Sequence, residues 1–138
     1  MNPVVLDASL AIAWCLPDEA SAPAEALLAA LRQSQIFVPA IWVLEVANGL
    51  LAAERSRRIT PAAIEEALAT IATLVLHTEP APALQDAGAI LAVARANQLT
   101  AYDAAYLDLA LRKGVTLATL DRRLRQAAER AGVALLKP

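Results

Sequence analysis

The sequence predicts an α/β fold built on a parallel β-sheet that helices cover on both faces. Short apolar runs, several of them rich in β-branched residues, recur along the 138 residues. Segments with apolar residues at helical spacing lie between these runs. Such alternation is typical of parallel strands joined by crossover helices. The length suits one domain, expected over residues 1–138, with a core of its own.

The first half of the chain is expected to form two strands and three helices. Pro17 ends the first helix because proline cannot continue one. Leu27, Leu28 and Leu31 stand at helical spacing in the second helix. The expected order is a strand over 4–6, a helix over 9–16, a helix over 18–34, a strand over 36–39 and a helix over 40–54.

The second half continues the alternation. Thr60 followed by Pro61 is a helix start, with an N-cap and a proline at the first helical position. Gly114 is a helix stop, and the run that follows it is the best strand of this half. The expected elements are a helix from 60, a strand over 74–76, a helix from 83 to about 97, a helix from about 103 to 112, a strand over 115–119, a helix from 121 to 130 and a strand over 133–136.

Composition excludes several classes of function. No segment reaches the roughly 18 uninterrupted apolar residues of a membrane helix, and no basic leader opens the chain. A lone Cys15 rules out an internal disulfide and fits a reducing cytoplasm. One Cys and one His also exclude a zinc site of thiolates and imidazoles. Any metal site must therefore use carboxylates. Separately, the net charge of −2 predicts no general attraction to nucleic acid.

Three aspartates occupy comparable places in the predicted fold. Asp7 follows the first strand, Asp103 opens a late helix and Asp121 follows the strand over 115–119. Asp is also a common helix N-cap residue, so the structural interpretation is that each one only caps the helix that follows it. Ligands of open parallel sheets bind at the carboxyl ends of the strands, so the same positions favour a shared site.

Glu45 is harder to explain structurally, because it lies in a helix that is apolar on almost every side. A buried carboxylate without a partner costs several kcal/mol, so Glu45 should be paired, protonated or metal-bound. The alternative is that it reaches water at the edge of the helix. Four carboxylates in one cleft suit Mg²⁺ or Mn²⁺, and without a metal their repulsion should raise pKa values. Ser9 and Thr119 are placed to orient Asp7, Asp121 or a bound water.

Four motifs in order resemble one known family. They are Val-Leu-Asp-Ala-Ser at 5–9, Glu45 with Asn48 one turn later, Tyr-Asp-Ala-Ala-Tyr at 102–106 and Ala-Thr-Leu-Asp at 118–121. Together they resemble a PIN domain, and more closely the VapC-type toxins of toxin–antitoxin pairs. The resemblance implies a three-layer α/β/α fold with a central parallel sheet of about four to five strands. It also implies a cytoplasmic, Mg²⁺-dependent endoribonuclease, usually a homodimer, that an antitoxin protein inhibits.

The resemblance implies roles for seven residues. Asp7, Glu45, Asp103 and Asp121 would bind the metal and carry catalysis, with Mn²⁺ as a substitute for Mg²⁺. Ser9, Thr119 and Asn48 would support them. Asp108 is not part of the set, because its helical position turns it about 140° from Asp103. Tyr102 and Tyr106 have two interpretations, core packing or stacking on a base. Five arginines are hypothesised to meet RNA phosphates or an antitoxin: Arg55, Arg57, Arg58, Arg122 and Arg123.

Two other functions remain open at this stage. A haloacid-dehalogenase-like phosphatase also places an Asp after its first strand, but it needs a second Asp where this chain has Ser9. Such a phosphatase also needs a lysine late in the chain, which would have to be Lys113 or Lys137. The other possibility is a non-catalytic PIN scaffold that only binds a partner. The apolar segments over 21–31 and 64–74 would either dimerise, bind a partner helix or pack within the monomer.

Overall fold

A computed structural model describes residues 2–137 and shows four strands and seven α-helices in that range. Two short 3₁₀ turns, Pro17–Glu19 and Leu84–Asp86, precede α2 and α5. In chain order the elements are β1 (Asn2–Leu6), α1 (Ala8–Cys15), α2 (Ala22–Leu31), β2 (Ser34–Val38), α3 (Trp42–Arg55), α4 (Pro61–Ile71), β3 (Leu76–Thr78), α5 (Ala87–Asn97), α6 (Ala101–Lys113), β4 (Thr116–Ala118) and α7 (Arg122–Ala131).

The sheet is parallel throughout, with strand order β3-β2-β1-β4. Beyond β4, one isolated parallel bridge between Leu117 and Leu135 extends the sheet. The order places β1 in the interior, so its carboxyl end is flanked by the ends of β2 and β4. Parallel strands also bring all four carboxyl ends to one edge. The expected α/β fold with a central parallel sheet is confirmed.

Helices form a layer on each face of the sheet. α1 packs against α2, α3 and α4 on one face. On the other face α5 pairs with α6, which also contacts β1 and α7. This division follows from right-handed crossovers, because the chain moves outward from β1 to β3 and then returns across the sheet to β4. The core between these layers is apolar and includes all of Val4, Val5 and Leu6.

Local signals explain most of the helix boundaries. The hydroxyls of Ser21, Thr60 and Thr100 cap α2, α4 and α6 by accepting bonds from backbone N–H groups. Gly114 ends α6 with φ 65°, a left-handed conformation that glycine adopts without steric cost. No helix in residues 2–137 combines the length and the apolar character needed to cross a bilayer.

Several predicted boundaries are wrong. The helix expected over 18–34 is α2 alone, because Ser21 caps its start and Ser34 already belongs to β2. The strand expected over 74–76 is β3 at Leu76–Thr78, since Leu74 packs into the core after α4 instead of pairing. The strand expected over 133–136 is reduced to the bridge at Leu135. The helices predicted from 83 and from 103 begin at Ala87 and Ala101.

Candidate active site

Asp7 is the buried acid at the carboxyl end of β1. Its backbone N–H donates to the carbonyl of Ala118 at 3.0 Å, which ties the end of β1 to β4. Its carboxylate is 5% exposed, and Oδ2 accepts hydrogen bonds from Ser9 Oγ and from Thr119 Oγ1, the latter at 2.7 Å. Asp7 holds the N-cap position of α1, yet its side chain caps no backbone group there. The hydroxyls of Ser9 and Thr119, and not the capping of α1, therefore provide the main hydrogen bonds of this carboxylate.

Burial raises the pKa of Asp7, and the charge of Asp121 adds to the effect. The hydrogen bonds from Ser9 and Thr119 act in the opposite direction, because they stabilise the ionised form. No Lys, Arg or His within residues 2–137 forms an ion pair with Asp7, Glu45, Asp103 or Asp121. The ionised carboxylate of Asp7 is thus held by neutral hydroxyl donors.

Thr119 links Asp7 to Asp121. Its side chain is 1% exposed and donates to Asp7, while its Oγ1 accepts the backbone N–H of Asp121 at 2.9 Å. Asp121 caps α7, because its Oδ1 accepts the N–H of Leu124 at 2.9 Å. Here the capping interpretation is confirmed. Asp121 is exposed at the same edge, so its carboxylate also faces the solvent side of the site.

Asp103 lies in the first turn of α6 and does not cap that helix. Thr100 is the cap, since its Oγ1 accepts the N–H of Asp103 at 3.1 Å. The carboxyl group of Asp103 is half-buried. Burial raises its pKa, the charges of Asp7 and Asp121 raise it further, and Arg123 partly opposes them. Asp103 is therefore close enough to both acids to feel their charges.

Glu45 reaches the same neighbourhood from the first turn of α3. Its side chain is half-buried, and Oε1 accepts a hydrogen bond from the phenol of Tyr106. Burial raises the pKa of Glu45, and so do the charges of Asp7 and Asp103. Glu45 thus has a hydrogen-bond partner, and its partial exposure also agrees with the alternative that it reaches water at the edge of the helix. The helix around it is less buried than expected, because Val43 and Leu44 are 57% and 66% exposed.

Tyr106 is a site residue that sequence reasoning did not assign. It is fully buried and its O–H donates to Glu45 across 61 positions of sequence. Burial, followed by the hydrogen bond to Glu45, raises the pKa of Tyr106, so the phenol stays protonated and keeps donating. Of its two interpretations, core packing is correct and base stacking is excluded. Its spacing of three from Asp103 places both on one face of α6, which was the available signal.

The four acids share one region but do not form a closed coordination sphere. Within residues 2–137, no three His, Cys, Asp or Glu side chains lie close enough together to hold an ion. Repulsion between like charges favours separated carboxylates; burial is the main cause of the raised pKa values of Glu45 and Asp103, and the charges of neighbouring acids add to it. The donors are all oxygen atoms, which fits Mg²⁺ or Mn²⁺ by chemistry. The half-buried and exposed members have room to converge.

The comparison with family models decides the class of the protein. The PIN domain model matches residues 4–130. The chain belongs to the PIN domain family. The predicted resemblance is therefore confirmed at the level of the family, and PIN domains are generally nucleases.

Solved structures agree with this PIN fold. The crystal structure of PAE2754 from Pyrobaculum aerophilum superposes with a TM-score of 0.67 at 25% identity, covering 91% of this chain and 86% of that one. FitAcB from Neisseria gonorrhoeae gives a TM-score of 0.62 at 20% identity, covering 98% and 97%. The second likeness concerns the fold alone. No curated protein matches the sequence.

The remaining predicted residues of this PIN domain are scattered. Asn48 is exposed on α3 and makes no side-chain hydrogen bond within the described residues. Asp108 pairs with Arg112 at 2.8 Å and lines a separate cavity, as its helical position predicted. Arg58 is engaged by Asp18 and Glu19, which leaves it poorly placed to receive RNA.

The arginines of α7 lie nearer to the acids. Arg122 and Arg123 are exposed at the first turn of α7, directly after Asp121. Arg125 was not predicted; its Nη1 donates to the carbonyl of Thr119 at 3.1 Å. Arg125 thereby holds the strand end that carries Thr119, while its two neighbours remain free to meet a ligand.

Proposed function

We propose that this PIN domain is a metal-dependent endoribonuclease and the toxin of a toxin–antitoxin pair. The observation that carries the proposal is the burial of Asp7 without a cationic partner, beside three more carboxylates. Removing a charge from water without a counter-charge costs several kcal/mol. A divalent cation bound by Asp7, Glu45, Asp103 and Asp121 would supply that counter-charge.

Such an ion, Mg²⁺ with Mn²⁺ as a substitute, would activate a water and stabilise charge on the phosphodiester. The chain's own residues prepare the site. Ser9 and Thr119 hold the Asp7 carboxylate in one orientation, and Tyr106 does the same for Glu45. The products would be a 5′-phosphate and a 3′-hydroxyl.

Arg122 and Arg123 are proposed to receive the RNA phosphates. They are exposed in the first turn of α7, directly after Asp121, and their guanidinium groups can donate to phosphate oxygens. Their charge is local, since the whole chain carries net charge −2. Binding of RNA should therefore depend on this edge, and it should weaken as salt concentration rises.

The antitoxin is proposed to dock in an apolar groove between α3 and α4. The groove has a volume of about 460 Å³, and Val43, Leu51 and Leu68 expose part of their apolar surface there. The apolar face of α2 is different, because Leu27, Leu28 and Leu31 are buried within the monomer. A helix with apolar residues at positions i, i+4 and i+7 would fit this groove. Homodimerisation stays a prediction.

The test is cleavage of single-stranded RNA by the purified chain with Mg²⁺, with Mn²⁺ and with chelator. Cleavage that needs metal and yields 5′-phosphate ends is expected, and Asp7→Asn should reduce the rate at least a hundredfold. Glu66→Gln, which neutralises an exposed acid on α4, is the matched control and should keep the wild-type rate. Antitoxin binding with no metal-dependent cleavage of any RNA would instead favour a non-catalytic scaffold.

A further inference from the structure

A cavity separate from the four acids opens at the same edge of the sheet. It has a volume of about 250 Å³ and lies where β2 and β3 end. Pro39 and Ala40 follow β2 and Glu79 follows β3, and the backbone N–H of Glu79 donates to the carbonyl of Val38 at 2.9 Å. Strands are about 4.8 Å apart, so the cavity lies about 5–10 Å from the end of β1.

The walls of the cavity are mostly apolar. Prolines at 39, 80 and 82 contribute, together with Ile90 of α5 and Leu109 of α6. The polar groups are few and belong mainly to four side chains, Glu79, Asp86, Asp108 and Arg112. A small apolar slot with a few converging polar atoms is typical of a site for a flat, partly polar ligand.

Two of the three carboxylates in this cavity are paired with cations, and the third, Asp86, accepts the backbone N–H of Ala83 at 2.9 Å. Asp108 is 14% exposed and its Oδ2 accepts from Arg112 at 2.8 Å. Glu79 Oε1 pairs with Lys113 at 3.1 Å. Each carboxylate thus keeps a second oxygen with acceptor capacity. Because two of its three carboxylates are paired with cations, the cavity repels a polyanion less than the four acids at the end of β1, which have no such partners.

We propose that this cavity binds a nucleobase that carries an exocyclic amino group, from a nucleotide that flanks the cleaved phosphate. The inference rests on the proposed ribonuclease function and names a specificity site for it. RNA is read mainly through unstacked bases held in such slots. A carboxylate oxygen accepts a hydrogen bond from an amino group and is repelled by a carbonyl oxygen at the same position. Asp108 and Glu79 therefore select the 4-amino group of cytosine over the 4-carbonyl of uracil.

Binding of hexacytidylate and hexauridylate, compared by fluorescence anisotropy at low salt with chelator present, tests the inference. The two bases have the same size and differ on one edge, where cytosine has an amino group and an acceptor N3 and uracil has a carbonyl and an N3–H. The wild type should bind hexacytidylate about tenfold more tightly. Asp108→Asn adds an amide donor that uracil accepts, so this variant should bring the ratio close to one. Glu66→Gln, on the far helix α4, should leave the ratio unchanged.

A second variant distinguishes loss of the base site from loss of the fold. Ala105 lines the cavity from α6, and Ala105→Leu fills it without changing charge. It should weaken hexacytidylate binding toward the hexauridylate level while thermal unfolding stays close to wild type. Equal binding of the two oligonucleotides by the wild type, or no binding of either, would overturn the inference. Metal-dependent cleavage is measured separately, so a nuclease without this preference would refute only the base site.

Discussion

Replacing Asp7 with asparagine should change stability in opposite directions without and with metal. Asparagine keeps an oxygen that accepts from Ser9 and Thr119, but it removes the buried charge. The pKa of Asp7 is raised above its ordinary value of 3.8, chiefly by burial. The ionised group therefore opposes folding at neutral pH. With chelator at pH 7, Asp7→Asn should stabilise the chain by about 1 kcal/mol, or about 4 °C in unfolding midpoint.

The pH dependence of this gain follows from linkage. A raised folded-state pKa means that the folded chain holds its proton more tightly than the unfolded chain. The contribution of Asp7 to stability is then fully present below the unfolded-state pKa and is lost as pH rises through the folded-state pKa. The advantage of Asp7→Asn should accordingly shrink as pH falls toward 3.8. Unfolding scans at several pH values with chelator measure this directly.

Added metal should make the wild type more stable than Asp7→Asn. An ion that binds only the folded wild type adds about 2.7 kcal/mol of stability at a hundredfold excess over Kd. Asp7→Asn should gain little. Asp18→Asn is the control, because this exposed acid is paired with Arg58 and lies outside the site. A mutant that is less stable than wild type under chelator, with no Mn²⁺ shift in either protein, would refute the reasoning and make Asp7 a structural residue.

Substitutions at three further residues test other parts of the structure. Tyr106→Phe removes the hydrogen bond that lowers the pKa of Glu45. The affinity for Mn²⁺ should therefore fall about tenfold and binding should require a higher pH, which titration calorimetry would measure. Asp121→Ala should cost about 1 kcal/mol in urea unfolding by uncapping α7, whereas Asp121→Asn should keep the cap and lose only metal affinity. Gly49→Val should destabilise by about 1 kcal/mol, because even a Cβ there would lie 2.3 Å from Cδ1 of Ile12 in α1, so that side chain must move aside; unchanged urea unfolding would contradict this close approach.

The order of the elements and the edge that carries the acids were predictable from local signals. Apolar periodicity located β1, and the parallel arrangement placed Asp7 and Thr119 at one edge. The boundaries were harder, because Leu74 is as apolar as a strand residue but packs as a turn after α4. Periodicity measures burial, and a buried turn and a buried strand share the same signal.

The roles of the aspartates show where local reasoning stops. All three were equally good caps by sequence, yet only the Asp121 side chain caps a helix. For Asp103 the deciding signal was present, since Thr100 stands three residues earlier and is itself a favoured cap. For Asp7 it was absent, because the hydroxyl that competes for its carboxylate comes from Thr119, 112 positions away.

The hydrogen bond from Thr119 to Asp7 fixes the relative positions of the elements that form the site. One hydroxyl of Thr119 donates to the acid that ends β1 and accepts from the backbone that starts α7. A strand end and a helix start are thereby fixed to each other through a single buried atom. Tyr106 makes a similar link between α6 and α3 through Glu45. Asp7 and Glu45 are therefore each held by a residue from a distant element, so these two carboxylates can be brought into one region only when the sheet edge that carries them has folded.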